Sequence, residues 1–320
     1  MMTTTYARPR VSIGLPVYNG ERYLAESLDS LLKQTFGDFE LIICDNASTD
    51  RTEALCRGYA ERDRRIRYHR NPGNLGAARN YRLAFELASA DYFRWATHDD
   101  LAAPEHLARC VEALDRDPSV VLAYPKTKIL DEWGAPVSEY EDRLHLPQPH
   151  AGERFAELAR RLQLCNAVYG LVRADALRRT ALLRSFFGSD GLLLAELTLY
   201  GKFFEIPEFL FYRRRHPAAF TSQQDPMKLL QFYEPKTKRP TPLLTWRHLA
   251  AHMAAVTRAP LGIGEKAGLY RFLIRNAISS RDVYWEELSA LVRRNRGAAV
   301  PRVSSPLNPP TTQLSGREEN

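Results

Sequence analysis

The feature that most restricts what this 320-residue chain can fold into is a repeated alternation in its first half. Short apolar runs alternate there with stretches of helical periodicity. VSIGLPV (11–17), FELIICD (39–45), IRYHR (66–70) and DYFRWAT (91–97) carry the β-branched and aromatic residues that suit a pleated, half-buried surface. Between them lie ERYLAESLDSLLKQ, TEALCRGYAERD and AARNYRLAFELASA. In the first of these, Tyr23, Leu24, Leu28, Leu31 and Leu32 recur at helical spacing. Asn46, Ser48 and Asp50 offer capping chemistry for the second helix, and Pro104 suits the first turn of a later one. Strands and helices in this order predict right-handed crossovers. The fold class that follows is α/β, with a doubly wound, mostly parallel sheet and helices on both faces.

The polar residues fall in a pattern that this architecture makes informative. Tyr18 and Asn19 follow the first strand, and Asp45 and Asn46 the second. Residues 71–76 follow the third, and His98, Asp99 and Asp100 the fourth. All four clusters sit at carboxyl ends of parallel strands, the edge at which open α/β sheets bind ligands. Asp99 and Asp100 are adjacent like charges, and each raises the pKa of the other. A bound cation relieves that conflict, and so does exposure to water.

Later segments are read more coarsely. SVVLAYP and KTKIL are strand material before a turn near 131–134, and ERFAELARRLQL is a helix. AVYGLVR is strand-like, ADALRRTALL helical, and FFGSDGLLLAELTLYG enters a helix at Ser189 or Asp190. KFFEIPEFLFYRRRH is again strand-like, and helices are expected over 243–257, 264–280 and 284–294. Residues 297–320, rich in Pro, Ser, Thr, Asn and Gly, read as a disordered tail.

Composition excludes several function classes. Four cysteines stand far apart with no CxxC pair, which argues against a disulfide framework or zinc knuckle and fits packing in a reducing cytoplasm. The N-terminal residues lack a signal-like apolar core, and no run reaches the length of a membrane span. The net charge of +7 arises from 45 Lys and Arg against 38 Asp and Glu, with the basic excess toward the C-terminal part. A phosphorylated substrate, a membrane surface and nucleic acid all suit that charge. No nucleic-acid recognition module is present, so nucleic acid is set aside. No GxGxxG follows a strand, which removes a dehydrogenase.

The ordered set VSIGLPVYNGERYLAESLDSLLKQTFGDFELIICDNASTD, then NLGAARN, then THDD followed by Pro104, resembles a family 2 glycosyltransferase of the GT-A fold. The resemblance spans about residues 11–220. It implies a UDP-, GDP- or dTDP-sugar donor, a divalent cation (Mn²⁺ or Mg²⁺), a hydroxyl acceptor and transfer with inversion. It places the nucleotide-binding acid on Asp45, with Pro16, Val17 and Tyr18 lining the base pocket and Asn19 and Asn46 beside them. Asn74, Gly76 and Arg79 would approach the nucleotide, with His98 close to the pocket. The family's Asp-X-Asp metal motif departs from pattern here, because Thr97 stands at the first acid and Asp99 at the second. Asp99, with Asp100 and the late His216, would hold the cation through hard oxygen and imidazole ligands. Arg213, Arg214 and Arg215 would face the diphosphate. Asp190 falls where the family places its catalytic base, and a helix N-terminus would favour its ionised form. Asn166 and Tyr169 are acceptor contacts. The organisation implied is a transferase domain over 1–225 (nucleotide-sugar part 9–131, acceptor part 132–225), then a helical extension over 226–296. The basic helices of that extension suit peripheral contact with the inner face of a membrane and a lipid-linked acceptor.

Each assignment has a plainer counterpart. Asp45 and Asp190 also suit helix caps, Asp99 and Asp100 a solvated loop, His216 a strand end, and Asn74 with Gly76 an ordinary turn. Two other functions compete. A nucleotidyltransferase shares the architecture, but LPVYNGER lacks its glycine-rich turn. An inactive nucleotide-sugar-binding scaffold is kept open by Thr97.

Overall fold

A computed structural model describes residues 8–219, 225–238 and 242–294. The stretch 297–320, expected to be a disordered tail, lies outside the described residues. The first half runs β1 (Val11–Val17), α1 (Leu24–Leu32), β2 (Phe39–Asp45), α2 (Thr52–Arg62), β3 (Ile66–Arg70), α3 (Ala77–Glu86), β4 (Tyr92–Trp95), β5 (Leu101–Ala102) and α4 (His106–Arg116). The second runs β6 (Val120–Leu130), β7 (Pro136–Tyr140), α5 (Ala151–Arg161), a 3₁₀ turn at Asn166–Tyr169, β8 (Leu171–Arg173), α6 (Ala174–Arg178), α7 (Ser189–Leu197) and β9 (Lys202–Arg214). Four helices close it: α8 (Pro226–Tyr233), α9 (Leu244–Arg258), α10 (Ile263–Ser279) and α11 (Arg281–Arg294).

The sheet has the order β3-β2-β1-β4-β8-β6-β9-β5, with β7 paired to β6. The expected α/β architecture is present. The first four strands are parallel, and the long β6–β9 ladder is parallel too. The short strand β8 separates these two parallel groups and runs antiparallel to both neighbours. SVVLAYP and KTKIL, read as two pieces, form the single strand β6. Three short elements escaped the sequence reading: β5, β7 and α8. The helix expected over ADALRRTALL stops at Arg178, and AVYGLVR divides between the 3₁₀ turn and β8, with Gly170 between them.

β1 and β2 are buried at every position because both faces of the sheet are covered. That explains their unbroken apolar runs, whereas β3 at the edge alternates buried and exposed residues. One large core gathers Phe93, Trp95, Phe155, Leu193 and Phe203 with Val256, Leu269 and Leu273. The C-terminal helices therefore share the core of the preceding sheet. Among the described residues, no helix is long and apolar enough to cross a membrane.

Two residues at the centre of β1 set the position of its carboxyl end. Pro16 lies beyond the last β1–β4 pair, Gly14 with Trp95, and supplies no N–H with which to extend that pairing. Gly14 lets α3 lie directly on the sheet: a Cβ there would stand 2.7 Å from the Phe93 ring and 2.9 Å from the Ala84 methyl. Both neighbours are fully buried and have nowhere to move. Gly14→Val is expected to lower stability by about 3 kcal/mol through overpacking. Urea denaturation at neutral pH measures it, and an unchanged midpoint would refute the close packing of α3.

Candidate active site

The strand-end residues are assembled by hydrogen bonds between neighbouring β tips. At the end of β2, Asp45 is completely buried. Its Oδ1 accepts from the Ser48 N–H at 2.9 Å, and its Oδ2 accepts from the Tyr68 hydroxyl at 2.7 Å and from the Arg70 guanidinium. Tyr68 and Arg70 come from the adjacent strand β3, so the carboxylate is neutralised and held by the sheet itself. Burial and then Asp45 push the Tyr68 hydroxyl above its ordinary range. Next to it, the Asn46 amide donates to Asn74 Oδ1 at 2.8 Å and accepts from Leu75 N–H at 2.8 Å and from Asn71 at 3.0 Å. Asn71 also donates to Asn80, and Asn80 donates to the Cys44 carbonyl at 2.7 Å. Gly76 closes the turn at φ +84°, a conformation that glycine adopts without steric cost.

On the other side of β2, the loop after β1 is joined to the start of α2. Asn19 N–H donates to Ser48 Oγ at 2.9 Å, and Asn19 Oδ1 accepts from Thr49 N–H at 2.8 Å. Tyr18 stays 44% exposed at the mouth, while Val17 is buried. Arg79 is exposed on α3. His98 lies against Gly20, whose Cβ would fall 2.8 Å from the imidazole ring.

β4 neighbours β1 opposite β2, so the loop that carries Asp99 leaves the sheet at the same edge where Asp45 ends β2, from a strand two spacings, about 10 Å, away. The two acids of the pair part company. Asp99 meets His216 Nε2 at 2.9 Å. Burial works to raise its carboxyl, but the His216 hydrogen bond and the neighbouring His98 outweigh this and leave it at about 2. Asp100 turns inward, accepting from Thr97 Oγ1 at 2.6 Å and from the Arg214 backbone N–H at 2.8 Å. Burial and then the Asp99 charge raise its carboxyl to about 7. Thr97, at the position where the resemblance expects an acid, is thus the hydrogen-bond donor to Asp100.

Among the described residues, no three His, Cys, Asp or Glu side chains stand together in ion-holding geometry. Asp99 and His216 nevertheless present one carboxylate and one imidazole side by side. That set fits a hard divalent cation whose remaining ligands are phosphate oxygens and water. The three consecutive arginines divide. Arg213 donates to Asn166 Oδ1 at 2.6 Å. Arg214 is buried and serves the scaffold, bonding the Asp99 carbonyl at 3.0 Å and Glu26 at 2.6 Å. It is therefore spent on structure, against the expectation that it faces a diphosphate.

Asp190 occupies the first turn of α7, just after Gly188 at φ +78°. It sits among groups the sequence did not reveal.

 

The Tyr81 hydroxyl ionises only above its usual range, because burial and then the charges of Asp99, Asp100 and Asp190 disfavour its charged form. One side chain on α3 therefore senses the acids after β4 and the acid at α7 together. Tyr169, in the 3₁₀ turn, packs its ring 5.4 Å from that of Phe211, and burial and then Tyr81 raise its hydroxyl. The Cys165 thiol is likewise pushed up by burial, then by Asp190 and Asp142. Asn166 faces this same region beside Arg213.

The glycosyl transferase family 2 sequence profile matches residues 12–185, more than half of the chain. The chain belongs to glycosyltransferase family 2. Among its relatives, an uncharacterized glycosyltransferase of Rickettsia typhi is 34% identical over 133 residues, covering 41% of this chain and 40% of that protein. The putative glycosyltransferase EpsE of Bacillus subtilis is 35% identical over 127 residues, covering 39% of this chain and 46% of EpsE. The chain thus spans less than half the length of these two relatives.

Solved structures resemble it in fold. S. aureus TarS 1-349 in complex with UDP-GlcNAc has a TM-score of 0.61 at 18% identity, over 84% of this chain and 72% of that one. The mannosyltransferase PcManGT from Pyrobaculum calidifontis, in complex with GDP-Man and Mn²⁺, has a TM-score of 0.52 at 17% identity, over 93% and 78%.

Within this family 2 chain, Tyr68, Arg70, Tyr81 and Asp142 escaped the sequence reading. Asn71 had a signal as the first residue of the polar cluster after the third strand, and Asn80 as the last residue of NLGAARN. Asp142 is 4% exposed, and burial followed by the Glu205 charge raises its carboxyl to about 7. Such an acid folds in its protonated form, so stability falls as pH rises from its unfolded value near 4 through 7. Asp142→Asn is expected to remove a penalty on the order of 4 kcal/mol at pH 8 and to change little at pH 4. Thermal unfolding across that range checks it; a pH-independent difference would refute the buried neutral acid.

Proposed function

We propose that this chain is a metal-dependent, inverting glycosyltransferase that moves a sugar from a nucleotide-diphosphate donor to a hydroxyl acceptor in polysaccharide, glycolipid or glycoconjugate assembly. The observation that carries the reading is the meeting of Asp99 with His216 at 2.9 Å, at the same carboxyl edge of the sheet where Asp45 ends β2. It supports a site in which the cation-holding pair stands beside the nucleotide pocket. Membership of family 2 and the UDP-GlcNAc and GDP-Man complexes of the two structural neighbours support a nucleotide-sugar donor.

In this reading the nucleotide lies along the tips of β1, β2 and β3, beside Asp45 and the turn held by Asn46. Asp99 and His216 would hold the cation, which supplies charge compensation to the departing diphosphate. Asp190 accepts the proton of the acceptor hydroxyl as that oxygen attacks the anomeric carbon from the face opposite the leaving phosphate. Asn166, Arg213 and Tyr169 orient the acceptor. On α10, exposed Ile274 and Ile278 share a face with exposed Arg271 and Arg275, which supports peripheral contact with an anionic membrane carrying that acceptor.

Calorimetry with UDP-, GDP- and dTDP-sugars, with and without Mn²⁺, tests the reading, together with nucleotide release. Asp99→Ala is expected to abolish Mn²⁺-dependent donor affinity; wild-type affinity in that variant would reject the cation assignment. Asp190→Asn should bind donor normally and lose transfer by about 10²-fold or more, as expected when a general base is removed. Retained transfer would move the base elsewhere. Donor binding without turnover in the wild type, whatever the acceptor, would favour the scaffold reading that the Thr97–Asp100 bond keeps open.

A further inference from the structure

The turn at Gly76, assigned above to donor binding, is in contact with a distant part of the chain. A Cβ on Gly76 would lie 2.1 Å from the Tyr233 carbonyl oxygen and 3.0 Å from Pro235 Cδ. No residue but glycine fits beneath that carbonyl, and glycine alone is at ease at φ +84°. The segment that arrives there is α8, whose start is fixed by Asp225 accepting from Met227 N–H at 2.8 Å. Its neighbours Phe232 and Glu234 are exposed, whereas Tyr233 is the residue directed inward. Tyr233 packs on the main core along with Tyr81, Cys165 and Tyr169. Burial, then Asp190 and Tyr81, raise its hydroxyl above the ordinary tyrosine range.

We propose that Tyr233 is a specificity-determining residue that shields Asp190 and the donor from water, held over the pocket by the seat of its own carbonyl on Gly76. The inference rests on the transferase reading and deepens it. A base beside an activated sugar also serves water. In that side reaction the water oxygen bonds to the anomeric carbon, its proton passes to Asp190, and the bond to the diphosphate breaks with its electron pair leaving on the nucleotide. Closure of a site excludes this reaction. An aromatic body with a polar tip suits such a wall, since it covers apolar surface and still presents a hydroxyl to the polar side.

The test uses the full chain with Mn²⁺ and whichever of UDP-GlcNAc or GDP-mannose the wild type binds. Nucleotide release is followed without acceptor. Tyr233→Ala should raise donor hydrolysis about fivefold or more while donor Kd stays within about twofold, because only the water barrier is lost. Tyr233→Phe and Phe232→Ala should hydrolyse donor at the wild-type rate. Should Tyr233→Ala fail to fold, Tyr233→Leu keeps an apolar side chain in place, removes the aromatic ring and should raise hydrolysis as well. Unchanged or slower hydrolysis with donor binding retained would overturn the shielding role and leave the transferase reading intact. A wild type that binds neither donor would overturn both.

Discussion

The side-chain amide of Asn46 ties the end of β2 to the turn that precedes α3. Its three hydrogen bonds, to Asn71, Asn74 and Leu75, use a donor and an acceptor that burial would otherwise leave unsatisfied. Asn80 completes the circuit by returning to the Cys44 carbonyl, so helix, strand and turn form one hydrogen-bonded unit. A buried network of this kind tolerates no partial occupancy, because each missing partner exposes another group to desolvation. The position of Gly76, and with it the seat of Tyr233, follows from that unit.

The charged residues at the carboxyl edge are partitioned by the same economy of partners. Asp45 is neutralised by Arg70 and Tyr68 within the sheet, and Arg214 is enclosed by Glu26 and by carbonyls from two loops. Asp100 is drawn inward by Thr97 and the backbone of β9. Asp99 and His216 are left facing each other, the pair proposed to hold the cation, and their contact joins the loop after β4 to the end of β9. Adjacent acids in sequence thus acquire different protonation behaviour because one faces an imidazole while the other is buried beside the charge of the first.

Legibility varied with the range of the interaction. The edge of the sheet was readable because strand periodicity and turn chemistry are local, and four polar clusters followed four apolar runs. Asp190 was readable as the start of a helix. Tyr81 was not, since on α3 it is an ordinary apolar position in a periodic pattern, and only packing brings it within electrostatic range of three acids. Asp142 and Glu205 lie 63 residues apart, so no spacing rule joins them. The short strand β8 carries three residues, too few for a periodic signal, yet its antiparallel direction separates the two parallel groups of strands.

The sequence by itself determined the α/β class, the order of the first strands and the polar character of their carboxyl ends. These follow from side-chain alternation and capping, which act over a few residues. The tertiary structure alone decided which acid of the 99–100 pair faces His216, which arginine is enclosed, and that Tyr233 returns across the chain to the Gly76 turn. Those outcomes depend on desolvation and on partners supplied by remote strands, and neither quantity is encoded in local spacing.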